Sequence, residues 1–153
     1  MHIAVVGGPD LADLLPLMRA YCDFYEVAPD DDALLGLAHT LVADPEREGF
    51  QLLARDDGGR AVGFATVYWS WSTLAAARTA IMNDLFVHPD ARGTGLAEDL
   101  VEECRVRCGR GGAVSMGWQT RKDNATAQRL YERVGASRAE WVDYSLDTAP
   151  SGP

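Results

Sequence analysis

Apolar residues recur along this chain in two rhythms, and the change from one to the other marks out its elements. His2–Val6 is a short apolar run closed by Gly7-Gly8-Pro9, which predicts a strand. Asp10 suits a helix N-cap, and beyond it Leu11, Leu14, Leu15, Met18 and Cys22 recur at helical spacing. A second helix opens at Asp30 to Asp32, carries Leu34, Leu37, Leu41 and Val42, and closes near Asp44-Pro45. The period then shortens. Phe50–Arg55, the turn Asp56-Asp57-Gly58-Gly59 and Ala61–Tyr68 predict a hairpin, and Ala80–Val87 a further strand stopped by His88-Pro89-Asp90. Leu96, Leu100, Val101, Cys104 and Cys108 make an amphipathic helix over Gly95–Cys108, ended by Gly109, Gly111 and Gly112. Ala113–Trp118 predicts a strand, Asp123–Val134 a helix with Gly135 at C′, and Trp141–Leu146 a closing strand. The chain shows neither repeats nor a long linker. It predicts one α+β domain over residues 1–147, a central sheet with helices on it, and a frayed tail over 148–153.

Composition narrows the class. At 153 residues, 47% hydrophobic and 24% charged, the chain matches an ordinary globular domain and not a disordered or fibrous one. Its apolar runs are too short for a membrane span, and its first residues lack a basic stretch followed by a long apolar one. No membrane partner is therefore expected, and the cytoplasm is the expected compartment. Fourteen basic against 23 acidic residues give a net charge of −9, a poor footprint for nucleic acid. The imbalance is uneven: residues 1–78 hold 5 basic and 12 acidic, residues 79–153 hold 9 and 11. An acidic front half can draw in a cation, or serve solubility alone, while the back half keeps arginines for an anion. Cys22, Cys104 and Cys108 fit no zinc or redox spacing, and His2, His39 and His88 are scattered, so no metal is expected.

Chemistry enters at Leu85-Phe86-Val87-His88-Pro89-Asp90-Ala91-Arg92-Gly93-Thr94-Gly95-Leu96-Ala97, where a strand runs through a two-glycine loop into a helix. Glycine lets backbone N–H groups approach a bound anion, and the first helical turn adds unpaired donors and a positive dipole end. Such a loop can be an anion cradle or merely a turn. It is not a dinucleotide fingerprint, because Glu98 stands where the last glycine would be, and no Gly-Lys-Ser/Thr ends it as in a Walker loop.

One helix and one strand later comes Trp118-Gln119-Thr120-Arg121-Lys122-Asp123-Asn124, continuing through Ala127 and Tyr131 to Gly135-Ala136. With both stretches in view, the chain resembles the GNAT superfamily of acyl-CoA-dependent N-acetyltransferases over residues 1 to about 147. The family pattern Arg/Gln-x-x-Gly-x-Gly/Ala matches Arg92 to Ala97, and Asn-x-x-Ala-x-x-x-Tyr-x-x-x-Gly-Ala/Phe matches Asn124, Ala127, Tyr131, Gly135 and Ala136. Within the superfamily, Trp69 through Asn83-Asp84-Leu85-Phe86-Val87 is similar to the spermidine/spermine and thialysine acetyltransferases, which carry a glutamate where this chain has Asn83.

The resemblance implies a GNAT-like mixed, mostly antiparallel sheet flanked by about four helices and splayed between its fourth and fifth strands. It implies acetyl-CoA as cofactor and transfer of its acetyl group to a primary amine in a ternary complex. Leu85, Phe86 and Val87 match the strand that pairs with pantetheine; Arg92, Gly93, Thr94, Gly95, Leu96, Ala97 and Glu98 match the pyrophosphate loop. Asn124 matches a contact to the cofactor arm, and Tyr131 the proton donor to the departing thiolate. Asp84, beside the pantetheine strand, is a candidate base or a structural acid within the sheet, and Glu26 is a second carboxylate near the amine; the expectation is that no single acid dominates and that ordered water relays the proton. Tyr21, Tyr25, Glu26, Trp69, Trp71 and Asn83 are the candidate acceptor pocket. Trp69 and Trp71 share a strand face, which suits an aromatic wall for a cation and equally suits core or a dimer contact. Ser72–Ala77 is a candidate loop over the site. A small cationic amine is the expected acceptor, with a protein lysine or N-terminus, or a non-catalytic acyl-CoA-binding module, as alternatives. A homodimer is expected because related acetyltransferases commonly pair.

Overall fold

A computed structural model describes residues 1–148. The chain runs β1 (His2–Val5), α1 (Leu11–Phe24), α2 (Asp31–Ala43), β2 (Gly49–Arg55), β3 (Ala61–Ser72), β4 (Ala77–Val87), α3 (Leu96–Arg110), β5 (Met116–Gly117) and α4 (Ala125–Arg133). The strands lie in sequence order in one five-stranded sheet, antiparallel throughout except for the parallel β4–β5 pair. This is the expected mixed, mostly antiparallel architecture with four α-helices.

Apolar residues alternate along β2 and β3 to serve both faces. Leu52, Ala54, Ala65 and Val67 pack with Leu96, Leu100, Cys104 and Cys108 of α3. Leu53 and Phe64 turn the other way, onto Leu14, Leu17 and Met18 of α1 and Leu34 and Ala38 of α2. Both faces being covered explains why β2 reads as a near-continuous apolar run.

Two features of the sheet make the site. In β4, Thr66 of β3 faces Asp84 and Val67 faces Met82, which leaves Asn83 as an extra residue, a β-bulge. Met82 therefore packs on the α3 face, while Phe86, four residues on, packs on the α1 face. The second feature is the shortness of β5. It pairs with β4 only at Ala80↔Met116 and Ile81↔Gly117, and the strands then part. Beyond Ile81 the edge of β4 has no ladder partner on that side among the described residues, and a cleft opens there.

Three expectations need correction. The strand expected over Ala113–Trp118 shrinks to Met116–Gly117, extended by bonds from Val114 N to Arg78 O and from Ala80 N to Ser115 O, both 2.9 Å. The hairpin of β3 and β4 is longer than expected, so Ser72–Ala77 forms the tip between them, at the opposite end of β4 from Leu85–Val87. Trp141–Leu146 forms no strand; Trp141 is 81% and Tyr144 93% exposed. Alternating apolar residues favour extended chain, but a strand exists only where an edge pairs with it. Of the tail expected over 148–153, all but Thr148 lies outside the described residues.

Candidate active site

The cleft between the parting strands has a volume of about 600 Å³. One end is built by the loop from β4 into α3. Gly93 and Gly95 have φ of +75° and +87°, left-handed values that disfavour any side chain, and a Cβ on either would meet nothing within 4 Å. The loop is thus an open concavity, closed off by neither backbone nor side chain. Arg92 Nε donates to Val87 O at 3.1 Å and Thr94 Oγ1 to Ala91 O at 2.7 Å, which pins the loop to the end of β4. Gly95 is the N-cap of α3 and offers no side-chain cap, so the amides of the first turn are left for a ligand. Gly93, Gly95, Leu96, Ala97 and Glu98 all line this end, as does Arg92. Thr94 lies outside the lining, its hydroxyl bonded back into the loop.

α4 forms the facing wall. Asn124 caps it, accepting from Ala127 N at 3.1 Å through its side-chain oxygen, and Gly135 at φ +81° ends it as expected. Asn124 lines the cleft with one side-chain atom already engaged in that cap. Arg133 donates to Glu98 Oε1 at 2.5 Å, joining α4 to α3 at the cleft's edge. Tyr131 lies deeper, its ring edge-on to Trp118 at 5.2 Å between centroids, and burial pushes its phenol above the ordinary tyrosine range.

The other end is aromatic. Tyr21 and Phe24 of the last α1 turn and Tyr25 just beyond it line this end together with Trp118 and Asn83. Tyr21 stacks edge-on with Tyr25 at 5.0 Å and with Phe64 at 5.9 Å, which fixes its ring. Behind this wall sits Asp84. Burial raises its carboxyl above the usual carboxylate range, while hydrogen bonding from Thr66, Asn83 and Tyr21 pulls the other way; Asn83 Nδ2 donates to its Oδ1 at 2.9 Å.

Of the residues singled out in the sequence, Tyr131, Leu85, Phe86, Val87, Asn124, Asn83, Tyr21, Tyr25 and the loop apart from Thr94 share the cleft. Asp84 stands one layer behind it. Glu26 stands exposed just past α1, outside the lining. Trp69 and Trp71 also lie elsewhere. Trp69 packs on Phe50, donates from Nε1 to Pro45 O at 2.8 Å and carries the Arg78 guanidinium 4.0 Å above its ring, while Trp71 is 76% exposed. Phe24 and Trp118 went unassigned in the sequence. Trp118 carried a signal, since it is the last residue of the predicted fifth strand, at the end where a splayed sheet opens; Phe24 carried none.

The family model described as Acetyltransferase (GNAT) family matches residues 14–136. The chain is 33% identical over 148 residues to the uncharacterized N-acetyltransferase YhfO of Bacillus subtilis (strain 168), covering 96% of this chain and 97% of that one. The crystal structure of a probable acetyltransferase superposes with a TM-score of 0.85 at 28% identity, over 97% of this chain and 99% of that one. The aminoglycoside N-acetyltransferase AAC(6')-Iy, solved in complex with CoA, shares the fold with a TM-score of 0.84 at 19% identity, over 97% and 95% of the two chains.

Proposed function

This chain belongs to the GNAT family of acetyltransferases and is an acetyl-CoA-dependent N-acetyltransferase, and from that premise we propose that its acceptor is the primary amine of a small cationic molecule. The observation that carries this reading is the acceptor end of the cleft: an aromatic wall of Tyr21, Phe24, Tyr25 and Trp118 backed by the carboxylate of Asp84. Aromatic faces attract a cation, and a carboxylate behind them adds to the attraction while offering a place for its proton.

The residues fit the cofactor. Open glycine backbone, the uncapped amides of α3 and Arg92 suit a diphosphate. The unpaired edge of β4 over Leu85–Val87 suits an extended amide-bearing arm. When bound there, acetyl-CoA supplies an activated acetyl thioester. A backbone N–H of that edge would polarise the thioester carbonyl, an interaction worth about 3 kcal/mol per donor in other acyl-transfer sites. Tyr131, protonated at neutral pH and lining the cleft, is the residue we assign to give its hydroxyl proton to the leaving sulfur. An alkylammonium of pKa about 10.4 must lose a proton before it attacks, and Asp84 is the base we assign to receive it.

The same reading places the enzyme in the cytoplasm as a homodimer. It is supported by the pairing common among related acetyltransferases and by exposed Trp71, Leu74, Ile81 and Val114 on the β3–β4 hairpin and beside β5. The resemblance to spermidine/spermine and thialysine acetyltransferases supports a diamine or lysine-like acceptor. Asn83 in place of their glutamate leaves recognition of the amine to the aromatic wall and Asp84. Thiol release from acetyl-CoA is the test, with a panel of short diamines, lysine-like amines, neutral aromatic amines and lysine peptides. Diamines or lysine-like amines should give the highest kcat/KM; a faster reaction with neutral aromatic amines would overturn the cationic acceptor.

A further inference from the structure

A single polar row crosses the sheet on the face covered by α1. Gln51 of β2 lies opposite Thr66 of β3, and Thr66 opposite Asp84 of β4. Gln51 is 2% and Thr66 0% exposed, among neighbours such as Leu53, Phe64 and Phe86. Buried polar groups are costly unless bonded, so a row of three needs a reason. One bond sets the direction of the row. Gln51 Nε2 donates to Thr66 Oγ1 at 3.1 Å, which leaves the Thr66 hydroxyl hydrogen for the Asp84 carboxylate. The row thus ends on an acid that does not itself line the cleft. Tyr21 spans the gap: its ring forms part of the cleft wall and packs edge-on against Phe64 and Phe86, the cross-strand pair that neighbours Thr66 and Asp84 on the same sheet face, where the Asp84 charge bears on its phenol.

We propose that Tyr21 is the proton carrier between the bound amine and Asp84, and that Thr66 and Gln51 are positioning residues that hold the carboxylate on Tyr21. The inference rests on the assignment of Asp84 as base. In the step, the ammonium gives a proton to the Tyr21 oxygen as the Tyr21 hydroxyl proton passes to the Asp84 carboxylate. The amine becomes neutral, Tyr21 stays neutral and Asp84 becomes the acid, which returns its proton to solvent by the same path after product leaves. Burial and the neighbouring carboxylate keep Tyr21 from ionising, as concerted passage through a neutral phenol requires. The other titratable groups facing Asp84 are Cys22 from α1 and Tyr68 from β3, whose phenol is pushed up to about 12; both are neutral at neutral pH. Among the described residues no cation pairs with Asp84.

The test measures acetyl transfer from acetyl-CoA to putrescine against pH for Tyr21→Phe, Thr66→Val, Thr66→Ser and Asp84→Asn. CoA affinity is followed by calorimetry, and the Asp84 carboxyl is titrated by isotope-edited NMR. Tyr21→Phe should lower kcat about 10²-fold with CoA affinity unchanged. Thr66→Val should move the Asp84 titration and the acid limb of kcat/KM upward together, and Thr66→Ser should restore both. Parental turnover in Tyr21→Phe, or an unmoved titration in Thr66→Val, overturns the proposal; with putrescine inert, the titration alone decides it. Full activity in Asp84→Asn means that the base assignment itself has failed. An inactive Asp84→Asn beside unaltered Tyr21→Phe and Thr66→Val removes only the relay.

Discussion

Tyr131 and Asp84 are both shifted upward by burial, with opposite consequences for their tasks. For a proton donor the shift is harmless, since the phenol has only to stay protonated until sulfur needs the proton. Tyr131→Phe should therefore lower kcat roughly 10²-fold and leave CoA affinity almost unchanged, read by steady-state assay and calorimetry. For Asp84 the shift opposes folding. A carboxyl whose folded pKa exceeds its unfolded value contributes stability that is fully present below the unfolded pKa and is lost as pH rises through the folded one. Asp84→Asn, which resembles the protonated acid, should match the parent's melting temperature at low pH and exceed it near neutrality. A thermal melt series across pH checks this, and a deficit at neutral pH would mean that the carboxylate is structural. A residue that costs stability and is nevertheless built into a three-strand row is better explained by chemistry than by packing.

The start of α3 shows how a local pattern becomes a site. Gly95 is left-handed and donates no cap, so a branched side chain there strains the loop and fills the concavity. Gly95→Val should raise the KM for acetyl-CoA at least tenfold while far-ultraviolet circular dichroism stays parental; an unchanged KM would detach the loop from cofactor binding. This loop, α4 and Tyr131 were legible in the sequence because each is written within a few consecutive residues; that Asn124 caps α4 was not. What the sequence could not convey was direction. Trp69 and Trp71 share a strand face as their spacing requires, yet spacing does not say which end of a long strand reaches the cleft. Asp84 was visible as a neighbour of the pantetheine strand, but its face depends on a bulge that follows from cross-strand register. Thr66 and Gln51 gave no signal, because a polar residue in an apolar run acquires meaning only beside its partners on adjacent strands. The run Trp141–Leu146 has the composition of a strand and lacks the pairing.

Across the whole molecule, the cleft draws on both halves of the sequence. The front half contributes Tyr21, Phe24 and Tyr25 of the acceptor wall. The back half contributes Arg92, Arg129 and Arg133 around the glycine loop and α4. The back half also supplies Asn83 and Trp118 of the acceptor end, and a ligand filling the cleft ties α1, β4, α3 and α4 together. Coenzyme A should raise the melting temperature in proportion to the logarithm of its concentration, with about 2.7 kcal/mol of stabilisation at a hundred times its Kd. A melt that does not respond to it would separate the cleft from the cofactor.

The extra residue at position 83 has a wider implication. Counting by twos from Met82 along a regular strand would send Asp84 into the compartment of Leu96 and Leu100, sealed from any amine. One inserted backbone unit is what transfers the acid to the opposite side of the sheet. Because the extra unit is Asn83 itself, excising it would leave Asp84 opposite Thr66 and Met82 opposite Val67 in a regular register; what would vanish is the bulge and the amide it holds in the cleft wall.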